Sequence, residues 1–198
     1  MKNYIKNKDT YFQTVIYIET NLSSGTGFII SKEGYAITCN HVIEDATEIF
    51  VRINNNNGND VVSADVVSSN KEYDYAIIKL ESNEYNFAEL STKDSIELGN
   101  DIIILGYPFG KKLNDNVMEL NLSFTRGYIS SVQNQNNIER VLLDISAKSG
   151  NSGSPVIDMN TGKVLGILRG SIINKSTNIT EEINYMSPIK YLFELINE

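Results

Sequence analysis

A single cysteine, Cys39, stands in the 198-residue chain, which excludes an intramolecular disulfide and any multi-cysteine metal site. Tryptophan is absent, and there are only three prolines and one histidine, His41. Basic residues are outnumbered: 17 Lys and Arg against 25 Asp and Glu leave a formal net charge of −8. No basic run exceeds the pair Lys111-Lys112. Binding to nucleic acid needs a cationic surface to neutralise phosphates, so no nucleic-acid partner is expected. No apolar stretch approaches the roughly 20 residues that span a bilayer, so no membrane partner is expected either. The opening "MKNYIKNKDTYFQ" carries charge, but the apolar run after it, "VIYI", is too short for the core of a signal peptide. These absences set a default expectation of a soluble, cytoplasmic protein, although a piece of a longer chain would read the same way.

What is present has the balance of a globular protein, with 41% hydrophobic and 21% charged residues. The apolar residues fall in short runs: "TVIYI", "GFII", "YAIT", "EIFVRI", "DVVS", "YAIIKL", "DIIILGY", "RGYISSV", "RVLLDI", "PVID" and "KVLGIL". They are rich in Ile, Val and Tyr, and Gly, Asn, Asp or Ser punctuate them every eight to twelve residues or so, which predicts an all-β barrel or sandwich. "NNNNGND" (54–60) and "VQNQNNIE" (132–139) read as hairpin loops, because Asn and Gly tolerate positive φ. Two places read as helix. "HVIEDA" makes one turn after the histidine. "SPIKYLFELINE" offers Ser187 as N-cap before Pro188, with Ile189, Leu192, Phe193 and Ile196 on one face, predicting a helix over about 187–197. Strand patterning weakens over 86–101 and resumes at "IIIL", dividing the chain into two β units of about ninety residues.

The chemistry gathers at three places. His41 follows what reads as a β-hairpin, "GTGFIIS" (25–31) then "GYAITCNHVI" (34–43). Asp74 opens the apolar run "YDYAIIKL" (73–80), where an acid must be hydrogen-bonded or solvated. Ser152 lies in "AKSGNSGSPVID" (147–158), crowded with small residues. A serine hydroxyl needs a neighbouring base to take its proton, and the imidazole needs an acid to hold its tautomer and stabilise the imidazolium. The developing oxyanion needs backbone N–H donors, which Gly150 and Ser152 would supply. His41 as base, Asp74 as orienting acid and Ser152 as nucleophile fill those roles. Asp60 and Asp65 are alternative acids. Cys39 reads as a small buried side chain, and Tyr73, Tyr75 and Tyr107 as core or cleft wall.

The segments in order resemble the trypsin-like serine proteases of the chymotrypsin fold, most closely the protease domain of the HtrA branch. "GTGFII" is similar to the family's G-S-G-F-I-I, "TCNHVI" to T-N-x-H-V-V, and "DYAIIKL" to D-L/I-A-V/L/I-L/I-K. "LGYPFG" (105–110) is similar to I-G-N-P-F-G, "TRGYISSV" (125–132) to T-x-G-I-V-S, "GNSGSPVID" to G-N-S-G-G-P-L-V/I-N/D, and "GKVLGI" (162–167) to G-x-V-I/V-G-I. The resemblance implies two six-stranded antiparallel β-barrels, about 10–90 and about 96–186, with the active site between them. It implies a serine endopeptidase working through an acyl-enzyme, with His41, Asp74 and Ser152 as triad, Gly150 and Ser152 as oxyanion hole, and no cofactor or metal. Polypeptide is the implied substrate. By the family pattern Ser146 lies at the base of the primary specificity pocket, where the lack of a carboxylate disfavours Lys or Arg. Arg169, Gly170 and Ser171 form the implied strand edge that pairs with substrate backbone. Arg169 and Lys148 read as solvated charges, or as contacts for an acidic residue near the cut. Ser154 departs from the family's second glycine, and no peptide-binding PDZ domain follows within the chain.

Two other classes of function fit the same residues. One is a protease fold used as a binding module, or held latent until an activating protein partner sets the oxyanion loop. The other is the effector domain of a larger bacterial sensor or defence protein.

Overall fold

The computed structural model describes residues 8–55, 58–81, 84–92, 96–110, 121–135, 138–173 and 182–197. A first closed barrel is built from β1 (Val15–Thr20), β2 (Ser24–Ile29), β3 (Tyr35–Cys39), β4 (Ile49–Asn55), β5 (Gly58–Asn70) and β6 (Tyr75–Leu80), in the order β1-β2-β3-β6-β5-β4. A second closes from β7 (Asp101–Gly106), β8 (Ser123–Gln135), β9 (Ile138–Asp144), β10 (Pro155–Asp158), β11 (Val164–Ile173) and β12 (Glu182–Pro188), in the order β10-β11-β12-β9-β8-β7. All neighbouring strand pairs within both barrels are antiparallel, so the fold is all-β and chymotrypsin-like. Among the described residues three short helices accompany them: α1 (Lys8–Thr14), α2 (Asn40–Ile43) and α3 (Lys190–Asn197).

The run "DIIILG" shows why some strands are apolar without alternation. Side chains alternate across a strand, so Ile102 and Ile104 point one way and Ile103 and Leu105 the other. The first pair packs inside the second barrel with Ile129, Val141, Leu143 and Met186. The second pair joins the first barrel's core, alongside Ile157 and Ile167 from β10 and β11. One apolar cluster therefore runs from the first barrel across the junction, and each fully buried Ile or Leu in it contributes about 1.5–3 kcal/mol. That shared core fixes how the barrels sit, and so the cleft between them.

Several elements differ from the sequence expectation. The strand β12 runs through Ser187 and Pro188, and α3 begins only at Lys190. Ser187 does not cap the helix; its hydroxyl donates to the carbonyl of Tyr73 at 2.7 Å. The buried helix face is Tyr191, Leu192 and Leu195, with Ile189 buried just before it, while Ile196 is 54% exposed. The helix α1 was not expected at all. It is tied down by the Tyr11 hydroxyl, which donates to the carbonyl of Gly162 in the other barrel. The two Asn-rich stretches are hairpins whose strands reach further than expected, with 56–57 and 136–137 outside the described residues.

Candidate active site

At the end of β3 the chain leaves Cys39 in extended conformation and turns directly into α2, which carries His41. Asp74 ends the turn before β6 with φ at +57°, a left-handed conformation that Asp tolerates better than most residues. Three hydrogen bonds hold it there. Its carbonyl accepts the N–H of Asn40 at 3.1 Å, its Oδ1 accepts the backbone N–H of His41 at 2.9 Å, and its Oδ2 meets His41 Nδ1 at 2.8 Å. The carboxylate is 7% exposed and the imidazole 46%. Burial pushes the Asp74 carboxyl up, but the hydrogen bonds and charge of His41, with the guanidinium of Arg169, outweigh it and hold the group below the usual carboxylate range. An ionised carboxylate only accepts, so a neutral His41 carries its proton on Nδ1 and its lone pair on Nε2.

The Ser152 loop is pressed against the first barrel. Gly150 has φ at +95°, and a Cβ there would lie 2.4 Å from the carbonyl oxygen of Tyr107, so only glycine fits. Thr26 of β2 reaches into the loop: its hydroxyl donates to the carbonyl of Gly150 at 2.7 Å and accepts the N–H of Tyr107 at 3.0 Å. The Thr26 N–H donates to the carbonyl of Ser152 at 2.9 Å. Within the loop the N–H groups of Asn151, Gly153 and Ser154 donate to the carbonyls of Lys148, Leu168 and Asn151. Those of Gly150 and Ser152 donate to no acceptor among the described residues, and they are the two that the sequence singles out for the oxyanion. Ser154, in place of the family's glycine, is accommodated because Gly106 opposite has no side chain; a Cβ there would sit 2.1 Å from the Ser154 hydroxyl.

The three triad candidates are joined through Arg169. The Ser152 hydroxyl donates to the Arg169 carbonyl at 3.4 Å, and the Arg169 Nε–H donates to Asp74 Oδ2 at 3.1 Å. Arg169 is therefore not a solvated charge: its side chain is 13% exposed and lies over the Tyr185 ring. Gly170, at φ +121°, is close enough to Ser152 that a Cβ would stand 3.6 Å from its hydroxyl. Ser171 pairs with Asn184 of β12. Ser146 is exposed in the segment that leads to the Gly150 loop, beside the buried Ala147. On the other side of Gly150 lies a pocket of about 450 Å³ whose lining includes Tyr17, Thr20, Leu22, Ser23 and Phe109.

The remaining candidates fall away from the chemistry. Asp65 stands exposed on β5 opposite Lys79, and Asp60 is exposed near the start of the same strand. Tyr75 is buried with its hydroxyl on the carbonyl of Ser187, Tyr107 packs edge-on against Tyr17, and Tyr73 stacks on Tyr191. Cys39 is fully buried and donates its S–H to the carbonyl of Leu168 at 3.3 Å. Its sulfur, a ring nitrogen of His41 and a carboxylate oxygen of Asp74 lie within 4.8 Å of one another. They do not suit a cation: burial pushes the thiol well up, and Nδ1 and Oδ2 are occupied by each other. Sequence reasoning missed Thr26 as the anchor of the serine loop and the contact of the Arg169 side chain with Asp74, because both act across the barrel junction.

Two antiparallel barrels with a hydrogen-bonded His–Asp pair on one and a glycine-held serine loop on the other define the class of chymotrypsin-like serine proteases. A family model described as a trypsin-like peptidase domain matches residues 25–167. The chain belongs to that family. A protein of Pseudomonas fulva named probable periplasmic serine endoprotease DegP-like is 33% identical over 149 residues, 73% of this chain and 28% of that protein. One of the same name from Hahella chejuensis is 29% identical over 180 residues, covering 89% of this chain and 35% of that one. Among solved structures, the HtrA-type protease AlgW with tripeptide superposes with a TM-score of 0.80 at 27% identity, over 98% of this chain and 62% of the other. The chain thus spans about a third of the length of these curated relatives. The expectation of a cytoplasmic location is overturned, because these relatives are named periplasmic. It rested on a missing leader, which carries no weight in a chain that spans only part of its relatives.

Proposed function

We propose that the chain is a serine endopeptidase unit that cleaves polypeptides through His41, Asp74 and Ser152. The observation that carries this reading is the His41–Asp74 hydrogen bond at 2.8 Å, which leaves Nε2 as the proton acceptor, beside a loop whose Gly150 and Ser152 N–H groups lack described acceptors. Ser152 Oγ attacks the scissile carbonyl carbon while His41 Nε2 takes its proton. The carbonyl oxygen becomes an oxyanion and accepts from the Gly150 and Ser152 N–H groups. The tetrahedral intermediate collapses, His41 hands the proton to the leaving amine, and an ester on Ser152 remains. Water then attacks that ester, losing a proton to Nε2, and the carboxylic acid and free serine are released.

The substrate backbone pairs with the Arg169–Ser171 edge on the acyl side, and the residues after the cut enter the pocket that Leu22 and Phe109 line. The exposed Ser146 supplies a neutral floor for the first specificity pocket. The complete set of side chains gives no support to a non-catalytic binding module. The test is labelling by a fluorophosphonate together with cleavage of a peptide library. Wild type should label and cleave with little preference for Lys or Arg before the cut, and Ser152→Ala should lose labelling and about four to six orders of magnitude in turnover. A wild-type protein that neither labels nor cleaves would overturn the reading.

A further inference from the structure

One carboxylate oxygen, Asp74 Oδ2, serves two cationic partners. His41 Nδ1 meets it at 2.8 Å from the first barrel, and Arg169 Nε at 3.1 Å from the second. The guanidinium is brought there by a β-bulge. Leu168 pairs with Met186 and Gly170 with Tyr185, so Arg169 is the extra residue on β11 and has no partner across the strand. Bulges of this kind re-aim a side chain. The guanidinium carbon sits 5.4 Å from the centre of the Tyr185 ring, a position that favours a cation. The main chain of the same residue accepts the Ser152 hydroxyl at 3.4 Å. Arg169 thus touches the acid with its side chain and the nucleophile with its backbone.

We propose that Arg169 is a positioning residue for the acid–base pair, its guanidinium fixing the Asp74 carboxylate toward His41 and opposing a second positive charge on the imidazole. This rests on the protease reading for its catalytic meaning, though not for its electrostatics. A fixed cation on Oδ2 stabilises the ionised carboxylate and disfavours the imidazolium across from it. Other charged and titratable groups surround the pair. Cys39 on β3 and Tyr75 on β6 are both buried and neutral, with burial pushing each well up. Glu44, next to α2, is bound to Lys71 of the β5–β6 turn, with Asp45 and Glu72 beside them in sequence. From β9, Arg140 lies 5.9 Å from the centre of the same Tyr185 ring. Of these, only Arg169 meets the carboxylate oxygen that His41 uses.

The chain has one histidine, so its imidazole resonance is unambiguous. The titration of that resonance is followed by NMR in the Ser152→Ala background, where catalysis plays no part, with Arg169 intact or replaced by Gln, Met or Lys. The uncharged variants should move the midpoint, and the acid limb of kcat/KM in otherwise wild-type protein, to higher pH by about 0.5–1 pH unit. Arg169→Lys keeps the charge but loses the planar Nε–H contact, so its midpoint should fall between those of the parent and the uncharged variants. With Arg169 intact, its Nε–H resonance should shift at the same midpoint as the imidazole, a measurement that needs no substitution at that position. A folded Gln or Met variant that titrates like its parent, a Lys variant that moves as far as Gln, or an Nε–H that ignores the histidine midpoint overturns the proposal. A wild-type protein that fails to label with a fluorophosphonate overturns the protease reading instead, and the titration still decides the role of Arg169.

Discussion

The two barrels hold their shares of the site in different ways. The first barrel binds its acid–base pair locally: Asp74 takes three hydrogen bonds from Asn40 and His41, across the adjoining strands β3 and β6. The second barrel presents Ser152 on a loop whose carbonyls at Gly150 and Ser152 are held by Thr26 of the first barrel. The histidine pair is therefore built within one barrel and touched from the other by the Arg169 side chain, whereas the serine loop is held at the junction itself. Disturbing the junction should displace the Ser152 hydroxyl and the Gly150 and Ser152 N–H groups before it displaces the His41–Asp74 pair.

Four outcomes test that contrast. The largest effect belongs to the pair itself. Asp74→Asn keeps the shape but favours the wrong imidazole tautomer, so turnover should fall by about four orders of magnitude while fluorophosphonate labelling slows and folding persists. Next is the junction. Gly153 has φ at +86°, and a Cβ would stand 2.0 Å from the Thr26 carbonyl oxygen and 2.6 Å from the Thr38 hydroxyl. Gly153→Ala should cost about 2–4 kcal/mol in denaturant unfolding, and a normal stability would show that the loop is not wedged as described. Thr26→Val removes the donor to Gly150 and leaves the buried Tyr107 N–H unpaired. It should lower kcat about 10- to 100-fold, leaving the His41 titration in place, and cost about 1–3 kcal/mol. If the titration moves instead, the barrels are not independent in the way proposed.

The smallest effect is in acid. The Asp74 carboxyl lies below its ordinary value in the folded protein, so the unfolded chain binds the proton more readily. Its contribution is complete above the unfolded value of about 4 and is lost as pH falls through the lower folded value. Equilibrium unfolding at pH values stepped downward from about 5 should show a loss of stability that Asp74→Asn lacks. Equal slopes in both proteins would mean that other carboxylates account for all of it.

Most of the architecture was legible because strands carry their period in the chain. The runs from "TVIYI" to "KVLGIL" correspond to β1 through β11, and the three chemical side chains stood in recognisable local settings. The strand β12 was hidden because its buried residues include Asn184 and Ser187, polar side chains satisfied by the carbonyls of Ile145 and Tyr73. Ser-Pro then imitated a helix start. The helix α1 is a single short segment whose anchor, the carbonyl of Gly162, lies about 150 residues away in sequence. The contact of Arg169 with Asp74 and the role of Thr26 were illegible for a related reason. A bulge sets where the arginine points, and a partner in the other barrel gives the threonine its task; neither leaves a local pattern.

Cys39 gives the junction a further use. It is the only thiol in the chain, it is fully inaccessible, and its partner Leu168 belongs to the opposite barrel. A thiol reagent in solution reaches it only when the packing around it opens. At low reagent concentration the labelling rate reports the free energy of that opening, and at high concentration it levels off at the opening rate. The molecule thus carries a built-in reporter on the opening of its packing beside the junction, set next to the helix that bears the histidine.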